Sequence, residues 1–196
     1  RSGADEVVFL AITASSDARG TVVDMVRKVA ERVFIPFTVG GGIRTLEDVD
    51  KIFELGGNKV SINSAALTNP QLIQEVADKY GSERVMLSMD IRQTGDKEWS
   101  VYAKGGMEET GIDAIEWAKK MESLGAGELV VNSIDEDGVK DGYNLALNNA
   151  MAEAVSIPII ASGGAGKPEH FKDVLTKGKA DAALAASVFH FNEINI

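Results

Sequence analysis

Ile35-Pro36-Phe37-Thr38-Val39-Gly40-Gly41-Gly42-Ile43 is the stretch on which the reading of the fold turns. A β-branched and aromatic run, 35–39, breaks off in three successive glycines, and an amphipathic pattern opens near Leu46. A strand, a turn of exposed backbone and a helix make up half of a βαβ unit. Working outward, strand-like runs recur at 6–12, 59–62, 84–90, 128–131, 158–161 and 182–185. Helical patterns lie between them. The first carries Val22, Val23, Met25, Val26, Val29, Ala30 and Val33 at roughly 3.6-residue spacing. Others begin near Leu46, Pro70, Ile112, Leu145 and Pro168, with Pro70 and Pro168 placed as first-turn prolines. Residues 92–103, with a Thr-Gly-Asp turn before Glu98-Trp99-Ser100-Val101-Tyr102, read as a small inserted hairpin.

Several helical patterns end in a glycine turn just before a strand, at Gly56-Gly57-Asn58, Gly125-Ala126-Gly127 and Gly178-Lys179-Ala180-Asp181. Ser2-Gly3-Ala4-Asp5 has the same character, so the chain is expected to open at the end of a helix that precedes it. It stops at Ile196, just past the last strand, before the closing helix is expected. The expected fold is therefore α/β, a (βα)8 TIM-type barrel with seven of its eight strands in this chain, residues 1–196 forming one domain. Open strand edges would offer a surface for self-association.

The two halves repeat at an offset of about 120 residues. Val39-Gly40-Gly41-Gly42-Ile43 matches Ala161-Ser162-Gly163-Gly164-Ala165. The 60–66 stretch matches 184–189, and Leu10-Ala11-Ile12-Thr13 matches the 131–135 stretch. The domain is thus expected to be built of two pseudo-repeated halves, the first incomplete.

In each half one strand ends in glycines, and the next ends in a small polar residue ahead of a short helix. Glycine lets phosphate oxygens reach backbone N–H groups, and a helix N-terminus adds partial positive charge. Gly42 with Asn63 and Ser64, and Gly164 with Ala186 and Ser187, are the resulting phosphate candidates. Two such sets suggest a small metabolite phosphorylated at both ends. Asp90 ends its strand in Leu87-Ser88-Met89-Asp90 and is the candidate general acid or base. Asp135, Asp137 and Gly138 follow the next strand, where Asp137-Gly138 fits either substrate contact or ordinary turn chemistry. His170 and His190 read as structural.

Composition narrows the field. A net charge of −10 argues against nucleic-acid and anionic-membrane surfaces. The absence of cysteine excludes disulfides, zinc thiolates and thiol catalysis. No His and carboxylate cluster has metal-ligand spacing, so neither a metal nor another cofactor is expected. No apolar run approaches membrane-spanning length, and a cytoplasmic location is expected.

Phe37-Thr38-Val39-Gly40-Gly41-Gly42-Ile43-Arg44, Lys59-Val60-Ser61-Ile62-Asn63-Ser64-Ala65-Ala66, Ser133-Ile134-Asp135-Glu136-Asp137-Gly138, Ile160-Ala161-Ser162-Gly163-Gly164-Ala165-Gly166 and Ala185-Ala186-Ser187-Val188-Phe189-His190-Phe191 occur in order. Together they closely resemble the cyclase subunit of imidazole glycerol phosphate synthase, across essentially the whole chain, without the family's first βα unit and last helix. The resemblance implies an enzyme of histidine biosynthesis. Ammonia from a glutaminase partner meets the bisphosphate PRFAR and yields imidazole glycerol phosphate and an aminoimidazole carboxamide ribotide. It implies that Gly42, Asn63 and Ser64 hold one phosphate and Gly164, Ala186 and Ser187 the other. Asp90 matches one of two catalytic aspartates, and Asp137 with Gly138 a substrate-contacting turn. Glu6, Lys59 and Glu128 match three members of a charged ring gating ammonia entry.

Departures are clear. The family's other catalytic aspartate belongs to the first strand, Ala11 stands where aspartate is usual, and Asn132 replaces a usual threonine. Turnover by this chain alone is therefore expected to be slow. The rival readings are the sister isomerase of the same pathway, which the Phe189-His190-Phe191 run speaks against, and a catalytically silent phosphate-binding barrel.

Overall fold

The computed structural model describes residues 3–11 and 18–196. It divides into two compact units, Arg1–Met86 with Leu124–Ala126, and Leu87–Ser123 with Gly127–Ile196.

The first unit contains β1 (Val7–Leu10), α1 (Ala18–Ala30), β2 (Phe37–Gly40), α2 (Leu46–Glu54), β3 (Lys59–Ile62), α3 (Ser64–Thr68) and α4 (Gln71–Tyr80). β1 pairs with β2 and β2 with β3, all parallel. Every residue of β2 is buried, as are the last three of β3. That is the mark of a parallel strand covered on both faces, and it buries the polar Thr38 and Ser61 along with their apolar neighbours. Val49, Ile52, Leu72, Ile73 and Val76 supply the helical side of the core. Thr45 caps α2: its hydroxyl accepts from the Asp48 N–H while Asp48 accepts from the Thr45 N–H. This reciprocal pair sets where the helix starts.

Arg84 closes the far end of α2. Its guanidinium lies 3.6 Å over the Phe53 ring and donates to the Asn58 and Gly57 carbonyls at 2.9 and 3.1 Å. One side chain thus satisfies two turn carbonyls and stacks on the helix they follow.

The second unit takes up most of β4 (Val85–Gly95) and of α5 (Ala114–Leu124), with β5 (Glu98–Ala103), β6 (Glu108–Asp113), β7 (Glu128–Ser133), α6 (Leu145–Ala154), β8 (Ile159–Ser162), α7 (Pro168–Thr176), β9 (Ala182–Leu184) and α8 (Ser187–His190). The strand order is β4-β7-β8-β9, with β5 and β6 off this path. β7 to β8 and β8 to β9 are parallel. Alternating strands and helices of this kind form an α/β fold of the (βα)8-barrel type.

The inserted hairpin is larger than the sequence indicates. β4 runs on past Asp90 to Gly95, β5 returns antiparallel, and β6 adds a third strand. Ile112, read from the sequence as a helix start, pairs with Val101 in that third strand. The helix begins two residues later, where Asp113 accepts from the Glu116 N–H at 2.9 Å. β6 is mostly polar, Glu108-Glu109-Thr110-Gly111-Ile112-Asp113, which hides its strand character. A second difference lies at the α7–β9 turn, where the left-handed residue is Lys179 (φ 56) and not Gly178. Gly178 is needed for space, since a Cβ there would sit 2.7 Å from the Val174 carbonyl oxygen.

The β1–β2 and β7–β8 pairs share one register. Val7, Val8, Phe9 and Leu10 pair with Phe37, Thr38, Val39 and Gly40; Leu129, Val130, Val131 and Asn132 pair with Ile159, Ile160, Ala161 and Ser162. Each residue of the second set stands 122 positions after its counterpart. The equivalence Ala11 to Ser133 follows, one position from the alignment drawn on sequence alone. Ile12 and Thr13, also in that alignment, lie outside the described residues.

Candidate phosphate turns and carboxylate site

The glycine turns are built alike at their first step. In the first unit the Ala11 N–H donates to the Gly40 carbonyl at 2.9 Å, and the chain then folds over Ala11. A Cβ on Gly41 (φ 89) would lie 2.2 Å from the Ala11 carbonyl oxygen. In the second unit a Cβ on Gly163 (φ 91) would lie 2.6 Å from the Ser133 carbonyl oxygen. Gly41 and Gly163 therefore satisfy two demands at once, a left-handed backbone and a close backbone approach.

The next helices start alike as well. The Arg44 and Thr45 N–H groups both donate to Asp48, at 3.0 and 3.2 Å. In the second unit the Gly166 and Lys167 N–H groups both donate to His170 Nδ1, at 3.0 and 3.3 Å. His170 is buried and occupies the position equivalent to Asp48. Its structural reading from sequence holds, and the bonds explain it: an imidazole nitrogen replaces a carboxylate as acceptor. Asp48 and His170 thus each take the two amides just ahead of their own helix.

Each turn lies beside a short helix one strand along. Gly40 pairs with Ser61, so Gly42 and Asn63 each sit two residues beyond a paired position. Ser162 pairs with Leu184, which places Gly164 and Ala186 in the same relation. Asn63 and Ala186 are the N-caps of α3 and α8, and Ser64 and Ser187 are their first residues. First-turn N–H groups have no intrahelical acceptor and can receive an anion.

Past that point the two sets diverge. Gly42 (φ 74) is exposed, and a Cβ there would meet nothing within 4 Å. Gly164 (φ 113) is buried, with a would-be Cβ 2.1 Å from the Gly142 carbonyl oxygen. The Gly142 N–H also donates to the Gly164 carbonyl at 2.8 Å. One glycine turn is open; the other is backed by the segment that follows β7. Tyr143, at the end of that segment, donates its hydroxyl to the Leu184 carbonyl at 2.8 Å. Burial pushes the Tyr143 hydroxyl well above its ordinary range.

Asp90 is half-buried on β4 and accepts from Asn132 Nδ2 at 2.9 Å. The Asn132 Oδ1 in turn lies 3.3 Å from the Cβ position of Gly163. One amide side chain thus stands between the candidate catalytic carboxylate and the second glycine turn. From sequence Asn132 shows only as a departure from the usual threonine; the one local signal for its role is that an amide carries both a donor and an acceptor. Asp135 has other work: it accepts from the Gln93 N–H at 2.9 Å and lies 3.8 Å from Arg92, steadying the β4 extension. Asp137 is exposed and precedes Gly138 (φ 77) in a turn closed by the Val139 N–H to the Glu136 carbonyl. Turn chemistry is therefore present there, and the Asp137 carboxylate is left on the surface. Ser133, Glu136 and Asn144 are joined by hydrogen bonds beneath it.

At the strand-start end of the first unit, Lys59 Nζ lies 3.3 Å from both carboxylate oxygens of Glu6. Glu128 is half-buried at the start of β7 in the second unit.

The chain matches a family model described as histidine biosynthesis protein over residues 1–195. The imidazole glycerol phosphate synthase subunit HisF of Lachnoclostridium phytofermentans is 57% identical over 197 residues, covering 100% of this chain and 76% of that protein. Subunit HisF of Oceanobacillus iheyensis is 58% identical over 194 residues, 99% of this chain and 76% of that protein. The Hydrogenobaculum protein of the same name is 54% identical over 193 residues, 98% and 77% respectively. Identity at this level over nearly all of this chain places it in the histidine biosynthesis protein family, as a homologue of the HisF subunit.

Proposed function

We propose that this chain carries the cyclase chemistry of imidazole glycerol phosphate synthase, in which ammonia and the bisphosphate PRFAR give imidazole glycerol phosphate and the carboxamide ribotide. The observation that carries the reading is the repeated turn. Gly41 and Gly163 fold onto equivalent backbone, and each is followed by a small residue heading a short helix. In this reading Gly42, Asn63 and Ser64 take one phosphate, and Gly164, Ala186 and Ser187 the other. Asp90 acts as general acid or base, its carboxylate oriented by Asn132. Asp137 and Gly138 contact substrate from the turn after β7.

A glutaminase subunit supplies the ammonia in this proposal, with Glu6, Lys59 and Glu128 lining its entry. The Glu6–Lys59 pair supports that role, since it places paired charge at the strand-start end. Phe34, 93% exposed in the loop between α1 and β2, belongs to the same end and offers an apolar anchor for a partner. Among the described residues no helix is long and apolar enough to cross a membrane. The reaction's polar substrates favour a cytoplasmic setting.

The test is ammonia-dependent consumption of PRFAR with product identification. The reading expects both products, and turnover lowered at least about a hundredfold in Asp90→Asn. Tight PRFAR binding with no product, in this chain and in longer versions alike, would favour the silent barrel instead.

A further inference from the structure

We infer that Lys140 is a positioning residue for the second phosphate turn, acting through its ion pair with Glu193; the inference rests on the reading of Gly164, Ala186 and Ser187 as a phosphate site. Lys140 has a left-handed backbone (φ 65), a conformation that residues with a Cβ seldom adopt unless their surroundings hold them there. Its carbonyl oxygen lies 2.0 Å from the Cβ position of Gly166, so its peptide rests directly on that glycine. Two residues on, Gly142 exchanges a hydrogen bond and a backbone contact with Gly164. The 140–142 backbone therefore forms the floor under the glycine turn.

The side chain of Lys140 reaches the other way. Its Nζ lies 2.7 and 2.8 Å from the two carboxylate oxygens of Glu193. Glu193 is itself fixed to α8, since the Glu193 and Ile194 N–H groups both donate to the Val188 carbonyl, at 2.9 and 3.0 Å. Ser187 heads that helix. The pair thus ties the floor beneath Gly164 to the helix that carries Ser187, the two groups proposed to grip one phosphate. Both side chains are 40% exposed, and exposed pairs contribute little to stability. Their effect here is on distance between ligands, where small displacements matter most.

The experiment follows backbone amides of the isotopically labelled chain as inorganic phosphate is added. Gly164 and Ser187 report the second set, and Gly42 and Ser64 serve as the internal control. Lys140→Ala is expected to weaken phosphate at the second set about fivefold or more, leaving the first set and the melting temperature nearly unchanged. The exchange Lys140→Glu with Glu193→Lys is expected to restore it. Lys140→Gln, which keeps most of the side chain's length, carries the same expectation as the alanine variant and guards against loss of fold. Unchanged affinity at the second set, or equal loss at both, overturns the inference and leaves the phosphate reading standing. No phosphate-dependent shift of Gly164 and Ser187 in the unaltered chain overturns that reading, and the inference with it.

Discussion

Two adjacent glycines in the first turn answer to different forces, and single substitutions separate them. Gly42→Ala meets no neighbour, so its cost is the left-handed backbone alone, about 1–2 kcal/mol. Gly41→Ala adds a collision with the Ala11 carbonyl and should lose about 1–3 kcal/mol more. Denaturant midpoints of the two variants check the order. His170 offers a second test at the same scale. His170→Ala strands two backbone N–H groups and should cost about 1–3 kcal/mol. His170→Asp, which copies the Asp48 solution, should recover most of that loss. If aspartate proves as damaging as alanine, the equivalence of the two helix starts fails.

At the scale of elements, α2 and α4 are joined by a polar cluster whose pH response has a definite sign. Asp50 accepts from Lys79 at 2.8 Å and from the Tyr80 hydroxyl, and these bonds hold its carboxyl below the usual value. A carboxyl lowered in the folded state stabilises fully above its unfolded value, about pH 4, and loses that contribution as pH falls through the folded value. Asp50→Asn should therefore flatten the acid limb of the stability curve below about pH 4 and lower stability at neutral pH. Chemical unfolding at a series of pH values measures both.

The same scale shows what was legible in the sequence. β2 and β3 are readable because β-branched and aromatic residues bounded by glycine turns mark them as strands. β6 is not, since its residues are mostly exposed and its strand character comes from pairing with β5 rather than from burial. Site residues divide similarly. Glycines and helix-heading serines announce themselves by type, whereas Asn132, Lys140 and Glu193 gain their roles from partners 42 to 53 residues away. Pairings across such separations leave no local pattern.

At the scale of the whole molecule, the (βα)-barrel framework carries two glycine turns, one open and the other backed by the segment after β7. The proposed partner gives a prediction at this scale. Phe34→Ser should reduce glutamine-driven turnover in the presence of a glutaminase subunit while leaving turnover on free ammonia within about twofold. Comparing the two nitrogen sources separates docking from chemistry. The central claim is that each glycine turn receives one phosphate group, and phosphorus NMR of PRFAR bound to the chain tests it most directly. Two phosphorus signals should move on binding, one returning toward its free position in Gly42→Ala and the other in Ser187→Ala. If neither signal moves, or both substitutions act on the same phosphate, the assignment of one turn to each end of the ligand is wrong.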